Sequence, residues 1–267
     1  MTKIIAEIGW NFLGDIKLAK KMIKAAKDNG ADFVKTQIFS VKNLKPGSWD
    51  SDGRRKIYLK AQLTEKKYKI LHDYSKRIKV GFFSSVVNKA GVDILKKFQK
   101  KYIKIASAES RNYELIKYAS KYFKNIIIST GATKYSEILK IMKIKGLKKK
   151  VILLHCNSSY PCDYDKLNLP RIEKLKKISK KVGLSDHSIG VYGSVLSLKF
   201  NPILIEKHFT INQKLPGRDN KLAILPSDLK NLKKFIKINK NVNKDLGRDY
   251  QKEEQIIRDI YTGRWGQ

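Results

Sequence analysis

The chain has little cysteine: Cys156 and Cys162 are the two thiols among 267 residues. So few exclude a disulfide scaffold and point to a reducing compartment, the cytoplasm. Long apolar runs are missing too, since no stretch approaches the roughly 20 apolar residues that span a bilayer. The opening Met1-Thr2-Lys3-Ile4-Ile5-Ala6-Glu7 has no signal-peptide core, because Glu7 interrupts it. Acidic residues are scarce, with 24 Asp and Glu against 58 Lys and Arg and a net charge of +34. Within the basic set arginine is scarce, nine of the 58, and Arg is the residue best suited to bidentate phosphate and base recognition. The lysines recur in nearly every helical stretch, as at Lys17, Lys20, Lys24 and Lys27 and again at Lys230, Lys233 and Lys237. There is no basic tail and no zinc-finger or RNP-like motif. This composition describes a solvated lysine-rich surface, not a nucleic-acid interface, although its field attracts small anionic substrates.

What is present is enough apolar residue, 42% of the chain, to fill a core. Short β-branched runs alternate with amphipathic stretches. The runs are Ile4 to Ile8, Asp32 to Gln37, Val80 to Ser84, Tyr102 to Ala106, Asn125 to Ser129, Val151 to Cys156, Val182 to Ser185 and Ile203 to Lys207. Helices are predicted between them, the first over Ile16 to Asn29 and the last over Ser227 to Val242 with Ser227 as N-cap. A long loop holding Pro46, Gly47 and Gly53 follows the second run. Strands alternating with helices imply a parallel sheet, and eight such pairs in about 245 residues imply a single-domain α/β chain, a TIM (β/α)8 barrel. No G-x-G-x-x-G follows the first strand, as a doubly wound sheet that binds a dinucleotide would have. The barrel is expected over residues 1–247 and a polar C-terminal tail over 248–267.

Chemistry in such a barrel sits at the C-terminal ends of the strands, where the unusual residues of this chain recur. Glu7, Lys35 with Gln37, Ser84-Ser85, Lys104 with Ser107, Ser129-Thr130-Gly131, His155, Ser185-Asp186-His187 and Glu206-Lys207-His208 all fall there. A barrel interior takes charge only at a cost unless it is paired. Lys35 and Lys104 with nearby serines therefore form a candidate anion pocket. Either lysine alone could also point outward between strand and helix. His187 and His208 end adjacent strands, with Asp186 and Glu206 beside them, and form either a two-histidine site for a borderline divalent ion or two satisfied core histidines. His155 is expected to be structural, and Cys156 has no activating base visible in the sequence.

The motifs Ala6-Glu7-Ile8-Gly9, Val34-Lys35-Thr36-Gln37, Tyr102-Ile103-Lys104-Ile105, Ser129-Thr130-Gly131 and Leu153-Leu154-His155-Cys156 occur in order. They are followed by Tyr160-Pro161, Gly183-Leu184-Ser185-Asp186-His187, Ile205-Glu206-Lys207-His208-Phe209-Thr210 and Pro216-Gly217-Arg218-Asp219. Over about residues 4 to 247 the chain resembles the sialic acid (N-acetylneuraminate) synthase family. The resemblance implies a TIM-barrel transferase that condenses phosphoenolpyruvate with a 2-acetamido sugar aldehyde such as N-acetylmannosamine, releases phosphate and yields a nonulosonic acid. It implies a divalent cofactor, manganese with magnesium or cobalt as alternatives, on His187 and His208. It implies Lys35, Ser85, Lys104, Ser107, Ser158 and Ser185 as holders of phosphoenolpyruvate. Glu7, Gln37, Tyr160, Glu206 and Asp219 would surround the sugar and the reacting carbons.

Two departures from the family pattern stand out. Asn-His-Asn-Gly after the first strand is replaced by Asn11-Phe12-Leu13-Gly14, which alters the implied sugar contacts. Most members also carry a C-terminal antifreeze-like domain that reaches across a dimer and brings an arginine to the sugar, and the sequence ends at Gln267. The expectations in its place are a separate capping protein, Arg218 or the Lys42 to Lys56 loop with Trp49, Arg54 and Arg55 (a lid or a plain surface loop), or a different substrate. A homodimer is a further expectation. Two rival functions remain at this point: a related barrel synthase or lyase acting on another sugar or a phosphosugar, and a catalytically silent barrel that binds a partner.

Overall fold

The computed structural model describes residues 1–266, with the backbone but not the side chain of Arg218. Eight parallel strands close into a barrel in chain order. They are β1 (Lys3–Gly9), β2 (Phe33–Ile38), β3 (Gly81–Val86), β4 (Tyr102–Ile105), β5 (Asn125–Ser129), β6 (Val151–Cys156), β7 (Val182–Asp186) and β8 (Leu204–His208). The helices outside are α1 (Ile16–Asp28), α2 (Arg54–Ala61), α3 (Glu65–Arg77), α4 (Lys89–Leu95), α5 (Tyr113–Tyr122), α6 (Tyr135–Met142), α7 (Arg171–Lys176), α8 (Tyr192–Leu196) and α9 (Pro226–Val242). A short α10 (Gln255–Tyr261) lies in the tail, where Ile256, Ile257 and Ile260 are exposed.

Helix α1 shows how local sequence sets these elements. The Asp15 carboxylate caps it by accepting from the amides of Lys17 and Leu18 at 2.8 and 3.0 Å. Ala19, Met22, Ile23 and Ala26 then recur at helical spacing and are all buried. Two expectations need correction. Helix α2 occupies part of the predicted loop; Ala61 is its one buried side chain, so it has no apolar stripe by which to be read. The last long helix, α9, begins at Pro226 rather than being capped by Ser227. Its cap is Leu225, whose amide donates to the Asp228 carboxylate at 3.0 Å, and Pro226 is the first helical residue.

Strand alternation divides the core in two. Outward residues such as Ile4, Val34, Ile103, Ile126, Leu153 and Ile205 pack under the helices. Inward residues Ile5, Phe83, Ile127, Ile152, Leu154 and Leu204, flanked by Phe33 and Tyr102, fill the barrel interior. Two residues further along each strand the same inward face carries Glu7, Lys35, Ser85, Lys104, Ser129, Cys156, Ser185 and Glu206. An apolar plug therefore lies beneath a polar layer at the C-terminal mouth.

Candidate active site

Glu7, Lys35, Gln37, Ser85, Lys104, Ser107, Tyr160, Ser185, His187, Glu206, His208 and Asp219 line one cavity of about 220 Å³. Of the residues predicted from sequence, Ser158 is outside this lining. Its Oγ is 3.9 Å from Cys156 Sγ, and it packs over Gly131, where a Cβ would come within 2.2 Å of that Oγ. The lining also contains Trp10, Val87, Ala106 and Cys156, which the sequence reading did not assign to the site, and Ser129, which it placed at a strand end without a role. Ser129 is 2% exposed, and its Oγ has no hydrogen-bond partner among the described residues. Its signal was available: it lies two residues beyond inward Ile127 on the same strand.

The polar layer is an interlocked charge network. Strand β1 bulges between Glu7 and Gly9 while pairing with β2, setting Glu7 opposite Lys35. Gly9 has a φ of +49°, and a Cβ there would stand 3.1 Å from Glu7 Oε1. Glycine thus serves both the left-handed backbone and the close carboxylate. Lys35 Nζ pairs with Glu7 Oε2 and lies 3.7 Å from Glu206 Oε2. Lys104 Nζ donates to Glu206 Oε1 at 3.0 Å, as does Ser185 Oγ at 3.0 Å. Gln37 Nε2 donates to Glu7 Oε1 at 3.1 Å. Both lysines thus point inward, not between strand and helix.

Burial acts differently on the two carboxyls. It pushes Glu7 up to about 7, because Lys35 offsets it only partly and the neighbouring Glu206 charge adds to it. At Glu206 the same burial is outweighed by Lys104 and Lys35, which hold the group at about 2. Burial lowers Lys104 below its ordinary value, while for Lys35 the two carboxylates reverse that effect and raise it. One carboxyl is permanently charged and the other exchanges a proton near neutrality, a division suited to acid–base work.

The imidazoles of His187 and His208 lie 5.5 Å apart, centre to centre. His187 Nδ1 lies 2.7 Å from the Asn157 carbonyl, so it donates there and leaves Nε2 with the lone pair. His208 Nδ1 is buried without a hydrogen-bond partner among the described residues and lies 3.9 Å from Asp219 Oδ2. Burial, with His187 and Lys35 nearby, keeps His208 well below the ordinary histidine range and hence neutral. Two neutral-capable imidazoles on one cavity wall, one with an unpartnered buried nitrogen, fit a divalent ion. Among the described residues no cluster of three or more His, Cys, Asp or Glu joins them, so water and substrate would complete the coordination. The Tyr160 ring covers His187 at 4.0 Å.

Several neighbours differ from expectation. Asp186 does not stand beside the histidines; it faces away and pairs with Lys207. Cys156 lies 3.7 Å from His187 Nδ1, but that nitrogen carries the proton given to the Asn157 carbonyl and so is no base for the thiol. His155 is structural as expected, its Nε2 lying 2.6 Å from the Leu167 carbonyl. Arg54 and Arg55 are engaged by Asp52 and Asp50 and are not among the cavity-lining residues. The loop reaches the site through aromatics, since Tyr58 contacts both Trp49 and the cavity residue Trp10 at 5.8 and 5.7 Å. The Arg218 side chain lies outside the described residues. Phe12 is buried in the core, so the residue expected to depart from the pattern packs with apolar neighbours and is not among the cavity-lining residues.

Comparison with known proteins identifies the family. The N,N'-diacetyllegionaminic acid synthase of Campylobacter jejuni is 36% identical over 248 residues, covering 86% of this chain and 74% of its own. The pseudaminic acid synthase of the same species is 32% identical over 235 residues, covering 83% and 68%. The crystal structure of N-acetylneuraminic acid synthetase from Leptospira borgpetersenii, in complex with citrate, superposes with a TM-score of 0.85 at 28% identity, over all of this chain and 93% of that one. The profile of the NeuB family matches residues 22–250. With the charged barrel mouth, these matches establish that the chain belongs to the NeuB family and is an enzyme of its synthase kind.

Proposed function

We propose that this site condenses phosphoenolpyruvate with an open-chain 2-acetamido sugar aldehyde to give a nonulosonic acid and phosphate. The observation that carries the reading is the buried Lys35–Glu7 and Lys104–Glu206 network beside two imidazoles on one small cavity. Lys35 and Lys104 hold the phosphate and carboxylate of phosphoenolpyruvate, with Ser85, Ser107, Ser129 and Ser185 as hydroxyl partners and Ser158 at the margin. With both cavity lysines engaged by that anion, the acceptor is better left unphosphorylated. Gln37, Tyr160 and Asp219 orient it.

A divalent ion on His187 and His208, manganese in this reading, would supply Lewis-acid polarisation of the aldehyde oxygen. The chain's own groups do the rest. C3 of phosphoenolpyruvate bonds to the aldehyde carbon, and the positive charge that develops at C2 faces the fixed negative charge of Glu206. Water adds at C2 and gives its proton to Glu7, which passes one to the new alkoxide. The tetrahedral C2 then expels phosphate between the lysines as its hydroxyl proton passes to the departing phosphate oxygen and C2 becomes the ketone. Holding both substrates in one buried pocket removes much of the entropic barrier.

The test is phosphate release from phosphoenolpyruvate with manganese, against a panel of N-acetylated hexosamines, with and without chelator. Release that needs both acceptor and metal is expected. Absence of phosphoenolpyruvate binding would overturn the reading and favour a silent barrel.

A further inference from the structure

The histidines assigned to the metal sit one residue beyond a registered pair of β7 and β8, Asp186 and Lys207. Alternation turns this pair away from the cavity, toward α8. Both are almost fully buried, at 1% and 2% exposure. Lys207 Nζ lies 2.9 Å from Asp186 Oδ2 and also donates to the Ser188 carbonyl. Asp186 Oδ1 accepts from the Ser188 amide and hydroxyl at 2.8 and 2.7 Å, and Oδ2 accepts from Ser194 Oγ of α8 at 2.6 Å. Helix α8 can approach this closely because residue 193 is glycine. A Cβ there would lie 2.7 Å from Ser188 Oγ and 3.3 Å from Asp186 Oδ2.

One ammonium, on the residue before His208, therefore grips the residues on both sides of His187. Backbone bonds secure the same ends: the His187 carbonyl accepts from the Cys162 amide at 3.0 Å and the His208 carbonyl from the Ile224 amide at 2.8 Å. Stability alone does not account for the ion pair, because a well-packed apolar pair in its place is often neutral or stabilising. Charge and hydrogen-bond geometry are directional, and here they fix how the two strand ends sit against each other.

We propose that Lys207 and Asp186 are positioning residues that lock the β7 and β8 ends together and so set the separation of the His187 and His208 imidazoles for a divalent ion. This rests on the reading of those histidines as metal ligands. The variant D186N/K207M removes both charges without leaving either buried alone, and Asn keeps the size and part of the hydrogen bonding of Asp. Manganese affinity of the substrate-free protein is measured by electron paramagnetic resonance of the free ion, alongside phosphoenolpyruvate affinity in metal-free buffer and thermal unfolding. The expected result is a manganese dissociation constant raised about 10- to 100-fold, the size usual for lost outer partners of metal ligands, with phosphoenolpyruvate affinity unchanged. A manganese affinity equal to that of the unaltered chain would overturn the proposal, as would equal losses for both ligands. If the double variant fails to fold, Ser194→Ala decides, since it removes one bond to Asp186 and no charge. A severalfold loss of manganese affinity supports the lock, and no loss refutes it. His208→Ala in the same assay separates the two claims. Full manganese affinity in that variant means the metal reading has failed. Loss there, with full affinity in D186N/K207M, means that only the positioning role has failed.

Discussion

Replacing Glu7 with Gln isolates the group on which the proton chemistry turns. In the folded chain Glu7 is pushed up from its ordinary 4.5 to about 7 by burial, despite Lys35. Between those values the folded chain keeps a proton that the unfolded chain releases, so folding stability falls as pH rises through this window. The slope from one group is about 1.4 kcal/mol per pH unit, which amounts to about 3 kcal/mol between pH 5 and pH 8. Glu206 acts in the opposite sense. Held at about 2, it stabilises the fold fully above its ordinary value and is lost only as pH falls toward 2, so it contributes no slope above pH 5. Glu7→Gln has no proton to exchange. Its stability relative to the unaltered chain should therefore improve by about 3 kcal/mol from pH 5 to pH 8. Urea denaturation of both proteins across that range, with phosphate release followed in parallel, is the assay. The acidic limb of turnover near pH 7 should vanish with the residue. Parallel stability curves for the two proteins would refute the raised Glu7 value and its role as proton carrier.

Three other substitutions test separate parts of the site. His208→Ala should abolish metal-dependent turnover while leaving phosphoenolpyruvate binding, and undiminished turnover in metal-free buffer would contradict the ligand assignment. Lys104→Met removes the ammonium that bonds Glu206 and should weaken phosphoenolpyruvate by about tenfold or more, a charged hydrogen bond being worth about 1.5–3 kcal/mol. Titration calorimetry showing a larger loss for the sugar would reverse the assignment. Ser129→Ala, which removes an unpartnered buried hydroxyl, should leave thermal stability unchanged and raise the KM for phosphoenolpyruvate by roughly 2- to 10-fold. A stability loss without a KM change would make Ser129 structural.

The barrel was legible because its signals are local and repeated. Eight β-branched runs each precede an amphipathic stretch, and charged residues recur at strand ends where an ordinary interior would be apolar. The site was legible for the same reason, since Lys35, Lys104, Glu206, His187 and His208 are costly in a barrel unless they have a purpose. Parity was harder to read. Asp186 ends β7 and His187 follows it, yet the two side chains face opposite ways, and only the register with β8 shows that Asp186 belongs with Lys207. Trp10 was missed because it follows the β1 bulge, where period-two reasoning stops. Helix α2 was missed because it buries so little, its packing reduced largely to aromatic contacts made by Tyr58.

The central claim is carbon–carbon bond formation with attack of water at C2, and it is tested most directly by running the reaction in oxygen-18 water. With phosphoenolpyruvate, manganese and an accepting N-acetylated amino sugar, the account predicts unlabelled phosphate, because the C2–O bond breaks. It also predicts one nine-carbon keto acid for each phosphate released. Labelled phosphate, or phosphate released without an equal amount of sugar acid, would show simple phosphoester hydrolysis and contradict it.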